Sequence, residues 1–137
     1  MYLPIKLFLN VILLATLTVV LDVSAQDQGP GFIKTCTTPG QVALTFDDGP
    51  SSFTPKLLGY LKTAKVPATF FVLGKSINGK GGKEALKATY DAGHQIALHS
   101  NTHADMNTLT PAKIKDEYEI NIKFVIDTIG VQPLIAR

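Results

Sequence analysis

Short apolar segments alternate with amphipathic ones along most of the chain. Three of these segments are mostly apolar and about as long as a buried strand of a parallel sheet: 41–46, 68–73 and 94–98. Helical spacing of apolar residues predicts helices in the intervening and following parts of the chain: 55–65, 83–92 and 111–129. Residues 133–137 look like the beginning of a fourth strand. The alternation predicts an α/β fold with a parallel sheet, either open or closed into a barrel.

Capping residues support the helix boundaries. Thr54 is a favourable N-cap, and Pro55 is a favourable first residue of the first predicted helix. The last predicted helix starts from Thr110, with Pro111 as its first residue. Gly93 follows the second predicted helix at the C′ position, where a left-handed residue commonly ends a helix, and Gly130 stops the third predicted helix. Residues 77–82, which are rich in glycine, are predicted to form a flexible loop.

The first 25 residues have a different character. Lys6 precedes the apolar run 11–21, and small residues before Gln26 provide a cleavage site. We therefore predict a secretory signal peptide over 1–25, with a protein that is secreted to the exterior or the cell wall. The alternative is a membrane anchor, but the run is shorter than the about 18 apolar residues that spanning requires, so no stable span is expected in the mature chain. Residues 26–40 are interpreted as a leader segment.

Composition narrows the class of protein. The chain has 137 residues, 45% of them hydrophobic, and a net charge of +2, which corresponds to one domain or part of one. The lysines are spread out rather than clustered, so no nucleic-acid partner is expected. The single cysteine, Cys36, is unusual for an oxidising compartment. It indicates a partner on another chain, a free thiol or a missing piece of this chain.

Polar motifs follow two of the predicted strands. TFDDGP places Asp47 and Asp48 after the first strand, and HSNTH places His99 and His103 after the third. Because the carboxyl ends of parallel strands meet at one edge of a sheet, we expect these residues to lie close together. Two imidazoles and one carboxylate form a facial triad that suits a divalent transition metal with open positions. The spacing of the histidines predicts that both rings lie on one side of a helical turn.

A second carboxylate beside such an ion can act as a base toward water. We assign Asp48 to the metal and Asp47 to the base, although spacing alone leaves the two roles interchangeable. Gly49 and Pro50 provide a stiff turn that holds the pair. Ser100 can orient the site through a hydrogen bond of its hydroxyl group.

Each motif alone has an ordinary structural explanation. Asp-Asp-Gly-Pro is a common turn composition, and two histidines four residues apart often lie on a surface. Their joint occurrence at predicted strand ends favours a site. His94 is interpreted as a residue that begins a strand rather than as a ligand, and Phe70 and Phe71 as core residues rather than a sugar platform.

TFDDGP followed by HSNTH resembles the first two motifs of the polysaccharide deacetylases, carbohydrate esterase family four, whose members include chitin deacetylases. The segment ATFFVLG is also similar to that family, and the resemblance covers residues 36–137. It implies that residues 41–137 form the N-terminal part of a distorted (β/α) barrel. The implied activity is metal-dependent removal of N-acetyl groups from the N-acetylglucosamine units of chitin or chitosan oligomers, with zinc (Zn2+) or cobalt (Co2+) as the usual ion. The implied roles are the base for Asp47 and metal ligation for Asp48, His99 and His103.

The chain departs from the family pattern at its end. PLIAR, residues 133–137, stops where an Arg-Pro-Pro-Tyr-like motif would begin, so Arg137 is assigned to that arginine and to substrate binding. Later motifs are absent, including the histidine that serves as general acid and the groups that line the acetyl pocket. We therefore expect a truncated deacetylase in which Cys36 lacks its family partner. The alternatives are a non-catalytic fragment that binds carbohydrate or metal, and a deacetylase of peptidoglycan or xylan.

Overall fold

The computed structural model describes residues 36–137. The predicted signal peptide, and the predicted leader up to residue 35, lie outside the described residues. Within residues 36–137, no helix has both the length and the apolar character that crossing a bilayer demands.

A parallel three-stranded sheet with helices between its strands forms the fold. The elements in chain order are β1 Thr45–Gly49, α1 Thr54–Ala64, β2 Thr69–Val72, α2 Gly74–Ile77, α3 Gly82–Asp91, β3 Gln95–Leu98, a 3-10 helix Met106–Thr108 and α4 Pro111–Ile129. The strand order is β1-β2-β3. Ala136 forms a parallel bridge with Leu98, so residues at the predicted fourth strand do lie beside β3. The α/β class with parallel strands is confirmed.

The start of β1, the role of Thr54 and the short helix α2 differ from the sequence prediction. Strand β1 begins at Thr45 and includes both aspartates, because pairing with β2 starts only there and Val42 is exposed. The predicted N-cap Thr54 is instead the first residue of α1, and its hydroxyl group accepts a hydrogen bond from the amide of Ser51 at 2.9 Å. The short helix α2 was not predicted, and it lies between β2 and the predicted glycine-rich loop, of which it includes only the first residue, Ile77.

The core lies between one face of the sheet and the helices. Its buried members include Phe70 and Val72 of β2 and the residues Leu61, Ile77, Leu86, Ile96, Leu98 and Val125. Burial of each such large side chain stabilises the fold by about 1.5–3 kcal/mol. Helix α4 contributes the face that its spacing predicts, with Tyr118, Ile122 and Ile129 partly buried around Val125. This packing fixes the carboxyl ends of β1, β2 and β3 at one edge.

The predicted limits of α4 agree with the structure. The hydroxyl oxygen of Thr110 accepts a hydrogen bond from the amide of Lys113 at 3.4 Å, and Gly130 closes the helix with φ of 73°. Helix α3 likewise ends before Gly93, which has φ of 83°. Because both ends of α4 are set, its inward residues are held at fixed heights against the sheet.

Candidate metal centre

An irregularity in β1 delivers the two adjacent aspartates. Phe46 lies opposite Phe70, but the next pair is Gly49 opposite Val72, so β1 holds one residue more than β2 over this stretch. Such a bulge redirects a side chain that would otherwise point to the opposite face of the sheet. Asp48 takes up the left-handed conformation, with φ of 65°, which aspartate tolerates better than most residues.

The structure brings Asp48, His99 and His103 together. Oδ1 of Asp48 lies 3.5 Å from Nε2 of His99 and 3.5 Å from Nε2 of His103. One ligand atom from each of the three residues lies within 4.8 Å of the others. Asp48 and His103 are largely exposed, at 65% and 56% of their side-chain surface, while His99 is half-buried. The three donors therefore converge at the surface end of the sheet.

The loop between the histidines is not the helical turn that the sequence predicts. Residues 99–103 lack helical structure, and both Ser100 and His103 have positive φ, at 67° and 62°. The rings converge because the hydroxyl oxygen of Ser100 accepts a hydrogen bond from the amide of His103 at 3.1 Å, which curls the loop. The predicted orienting contact of Ser100 is thus directed at the backbone of His103.

His99 is oriented by two hydrogen bonds. Its amide donates to the carbonyl oxygen of Val72 at 3.0 Å, which continues the ladder between β3 and β2. Its Nδ1 lies 2.8 Å from the backbone oxygen of Arg137. Because that oxygen can only accept, Nδ1 donates the hydrogen bond, and Nε2 is the ring nitrogen directed toward Asp48. Metal-ligating histidines commonly have an acceptor at the second ring nitrogen in this way.

The donor set fits a divalent transition metal. Zinc is bound by nitrogen and oxygen at about 2.0–2.2 Å, so donors around one tetrahedral ion lie about 3.3 Å apart. The two distances of 3.5 Å from Asp48 match this requirement closely. Two imidazoles, one carboxylate and an exposed side leave coordination positions open.

Asp47 belongs to a neighbouring network. Its Oδ1 accepts hydrogen bonds from Nε and from a terminal nitrogen of Arg137, at 3.2 Å and 2.7 Å. The same nitrogen of Arg137 donates to the hydroxyl oxygen of Thr45 at 2.6 Å, and the guanidinium carbon lies 4.1 Å from the ring centre of Phe71. Arg137 therefore contacts Asp47 directly, and its predicted role in substrate binding stays a prediction.

Helix α2 holds the metal-centre segments from the other side. The amides of Gly74 and Lys75 donate to the carbonyl oxygens of Ser100 and Asn101, at 3.1 Å and 2.9 Å. The hydroxyl group of Ser76 donates to the carbonyl oxygen of Asp48 at 3.1 Å. A Cβ atom at Gly74 would lie 2.4 Å from Oδ1 of Asn101. The absence of a side chain there lets α2 approach the histidine loop.

Two residues of α4 that the sequence analysis did not select also contact this loop. Glu117 accepts hydrogen bonds from the amides of Asn101 and Thr102. Asn121 is fully buried, and its Nδ2 donates to the carbonyl oxygens of Val72 and Ser100. The sequence offered one indication of such a role: Asn121 is a polar residue on the apolar face of α4.

The pKa of Glu117 reflects these contacts. Burial acts to raise it, but the hydrogen bonds from the backbone and hydroxyl group of Thr102, the backbone of Asn101 and the hydroxyl group of Ser100 outweigh burial. The pKa of Glu117 consequently lies below its ordinary value of 4.5.

The remaining residues singled out from the sequence lie apart from this centre. His94 is buried, and its Nδ1 accepts a hydrogen bond from the amide of Ala68 at 3.3 Å. Phe70 packs in the core, and Phe71 is buried beneath Arg137. Cys36 is an exposed free thiol.

Two grooves differ in their relation to the aspartates. A groove of about 680 Å³ between α1 and α3 includes His94, at the amino ends of β2 and β3 and hence away from the candidate centre. A smaller groove of about 230 Å³ is bordered by Asp47, Asp48 and the exposed ring of Phe53. Only the smaller one opens beside the candidate metal ligands.

Comparison with known proteins gives a consistent result. The family model for polysaccharide deacetylase matches residues 34–137. Chitin deacetylase 1 of Cryptococcus neoformans var. grubii is 39% identical over 77% of this chain and 22% of its own length. The chitin deacetylase of Colletotrichum lindemuthianum is 45% identical over 58% of this chain and 34% of its own length. The chain thus spans between about a fifth and a third of these curated relatives.

Solved structures agree with the sequence matches. The structure of the chitin deacetylase from Colletotrichum lindemuthianum superposes with a TM-score of 0.70 and 38% identity, covering 74% of this chain and 46% of that one. Other similar proteins are a bifunctional xylanase/deacetylase of Pseudobutyrivibrio xylanivorans and a peptidoglycan-N-acetylglucosamine deacetylase of Listeria monocytogenes. A similar acetyl xylan esterase from Clostridium thermocellum was solved in complex with a cobalt ion. Together with the parallel fold, these matches establish that the chain belongs to the polysaccharide deacetylase family.

Proposed function

We propose that this chain serves in the metal-dependent hydrolysis of N-acetyl groups on the N-acetylglucosamine units of chitin or chitooligosaccharides. The observation that carries the proposal is the convergence of Asp48, His99 and His103, with 3.5 Å from Oδ1 of Asp48 to each Nε2. Asp47, the neighbouring carboxylate, is held separately by Arg137. The site therefore offers three donors for an ion and one further acid.

In the proposed site, Asp48, His99 and His103 hold one divalent ion. The ion would supply Lewis acidity, which polarises the acetamide carbonyl and makes water easier to deprotonate. Zinc suits two imidazoles and a carboxylate with an open side. Cobalt is the alternative, supported by the cobalt complex of the similar acetyl xylan esterase.

Asp47 is the proposed general base. Arg137 occupies Oδ1 of Asp47 with two hydrogen bonds, which fixes the carboxylate and leaves Oδ2 to accept the proton of the attacking water. The water oxygen adds to the acetyl carbonyl carbon, and the proton taken up by Asp47 passes to the amide nitrogen as the C–N bond breaks, which releases acetate and the free amine of the sugar. The ring of Phe71 under the guanidinium keeps Arg137 in place for this task.

Chitin is proposed as substrate because two of the similar curated proteins are chitin deacetylases. Xylan and peptidoglycan are alternatives, since similar proteins are named for them. A second candidate function is binding of metal or carbohydrate without turnover. It is favoured by the exposure of two of the three donors, Asp48 and His103, at 65% and 56% of their side-chain surface.

Acetate release decides between turnover and binding. The full chain is incubated with chitooligosaccharides, acetylated xylan or peptidoglycan, with added zinc or with a chelator. Zinc-dependent acetate release from chitooligosaccharides supports the proposal. Zinc binding without acetate release from any of the three substrates supports the second candidate.

The ligand set is tested by metal retention after dialysis. Asp48→Asn and His103→Gln should each weaken zinc binding by more than the about 10–100-fold that loss of an outer partner costs. Asparagine also tolerates the left-handed backbone of Asp48. Asp91→Asn is the matched control, because Asp91 is an acid of α3 paired with Lys87 and should not affect zinc. Unchanged zinc content in both ligand variants would refute the assignment.

Secretion through a signal peptide over 1–25 is part of the proposal. Expression of the full chain in a secreting host should give a protein whose first residue is Gln26. Amino-terminal sequencing of the medium and cell fractions checks this, and a secreted protein that still begins at Met1 would contradict it.

A further inference from the structure

Glu117 reaches from α4 to the middle of the histidine loop with both carboxylate oxygens. Its Oε2 accepts hydrogen bonds from the amides of Asn101 and Thr102, at 2.9 Å and 2.7 Å. Its Oε1 accepts a hydrogen bond from the hydroxyl group of Thr102 at 2.7 Å. One half-buried side chain thus satisfies two consecutive backbone donors and a side-chain donor in a segment without regular structure.

The loop depends on such contacts because its backbone conformation is unfavourable. Ser100 and His103 both have positive φ, a conformation that non-glycine residues adopt at a cost and that surrounding contacts have to maintain. The first histidine is held by β2 and by Arg137. Between the two histidines, Glu117 is the group that engages the amides of residues 101 and 102.

The contacts of Glu117 differ from those of an ordinary surface acid. Glu119, two residues further along α4, forms an exposed ion pair with Lys115 at 3.3 Å, which is the common situation for a helical glutamate. Among the described residues Glu117 has no such cationic partner, and the groups that donate hydrogen bonds to it all belong to the loop. A carboxylate that accepts several backbone amides acts as a rigid template for the segment it binds.

We propose that Glu117 is a positioning residue for the metal centre: its carboxylate fixes the backbone of residues 101–102 and thereby sets the ring of His103 relative to that of His99. The inference rests on the proposed function, because it assumes that these histidines bind an ion. Glu117 contacts neither ring. Its effect passes through the loop, so the position of the donors changes while their chemical identity does not.

The test compares Glu117→Gln with Glu119→Gln in the full chain. Glutamine keeps the size of Glu117 but removes its charge, so the amides of Asn101 and Thr102 lose a charge-assisted acceptor. The hydroxyl group of Thr102 loses the oxygen to which it donates. Without metal, hydrogen exchange at the amides of Asn101 and Thr102 should become faster by about tenfold or more in Glu117→Gln. Zinc affinity should fall by about 10–100-fold. Glu119→Gln should leave both quantities unchanged.

A second variant separates positioning from general destabilisation. Thr102→Val removes the hydroxyl bond to Oε1 and keeps the backbone bonds, so it should weaken zinc binding less than Glu117→Gln does. The double variant should bind zinc no more weakly than Glu117→Gln alone, because the lost contact is shared. Additive losses in the double variant would indicate independent effects and overturn the inference. If Glu117→Gln does not fold, a fall in zinc affinity in folded Thr102→Val supports the inference, and an unchanged affinity overturns it.

The two readouts distinguish failure of this inference from failure of the proposed function. Unchanged amide exchange in Glu117→Gln overturns the positioning role whatever the zinc result. Faster exchange in a chain whose wild type binds no divalent ion overturns the proposed function, while supporting the effect of Glu117 on the loop.

Discussion

Replacement of Asn121 by alanine should destabilise the fold more than replacement of any exposed residue of α4 by alanine. The side chain is 0% exposed, and its Nδ2 donates hydrogen bonds to the carbonyl oxygens of Val72 and Ser100, at 2.8 Å and 2.6 Å. One side chain therefore connects α4 to the end of β2 and to the histidine loop. Alanine removes both bonds and leaves a cavity between the three segments.

The magnitude follows from the other partners of the two carbonyl groups. The carbonyl oxygen of Val72 also accepts a hydrogen bond from the amide of His99 at 3.0 Å, and that of Ser100 accepts one from the amide of Gly74 at 3.1 Å. Neither oxygen is orphaned in the variant, so the loss is two hydrogen bonds of about 0.5–1.5 kcal/mol each. With the cavity, the expected decrease in the free energy of unfolding is about 2–4 kcal/mol. Asn121→Asp should cost more, because a buried carboxylate would face two carbonyl oxygens.

Urea unfolding at neutral pH measures these differences. The chain has no tryptophan, so circular dichroism of the backbone is the suitable signal. Lys123→Ala is the control on the same helix: Lys123 is exposed and pairs with Asp127 at 2.7 Å, so its loss should cost about 0.5 kcal/mol or less. The reasoning would be refuted if the free energy of unfolding of Asn121→Ala lay within about 0.5 kcal/mol of that of the wild type. It would also be refuted if Asn121→Asp were more stable than Asn121→Ala.

Three further predictions concern packing, pH and metal. Gly82→Ala would place Cβ 2.1 Å from the carbonyl oxygen of Ser76, so calorimetry should show a loss of about 1–3 kcal/mol or more, and an unchanged midpoint would contradict the packing. The pKa of Glu117 is lowered from 4.5 in the folded chain. The decrease in the free energy of unfolding caused by Glu117→Gln should therefore have its full size at neutral pH. That difference should shrink as the pH falls below 4.5 and through the folded-state pKa, as acid titration of both proteins would detect. Zinc at about a hundred times its dissociation constant should stabilise the chain by about 2.7 kcal/mol, and a chelator should reverse the gain, with no effect in Asp48→Asn.

The sequence was sufficient for those parts of the fold that local patterns determine. The buried strands and the limits of α4 follow from apolar runs, from Pro111 and from Gly130, and the structure has the helix at the predicted Pro111–Ile129. The bulge in β1 and the short helix α2 were missed. Both depend on pairing and hydrogen bonds between distant segments, such as that from Ser76 to the carbonyl oxygen of Asp48, which no local pattern encodes.

The candidate site was likewise predictable from the sequence only in part. The meeting of Asp48 with His99 and His103 could be expected, because parallel strands bring their carboxyl ends to one edge. The conformation of the loop could not, since spacing suggested a helical turn where Ser100 has positive φ. The contacts of α4 with this loop could not be predicted either, because in the sequence Glu117 looks like any exposed glutamate until the packing of its helix is known.

The bulge in β1 limits how this pair of acids could be transferred to another protein. In a regular strand two successive side chains point to opposite faces. Here Asp47 bonds to the side chain of Arg137, and Asp48 lies beside the ring of His99, which contacts the backbone oxygen of the same Arg137. A grafted Asp-Asp would keep this geometry only if the host strand also carried the supernumerary residue and its left-handed backbone. A transfer would therefore have to include the whole bulge with its two aspartates, because the Asp-Asp dipeptide by itself is insufficient.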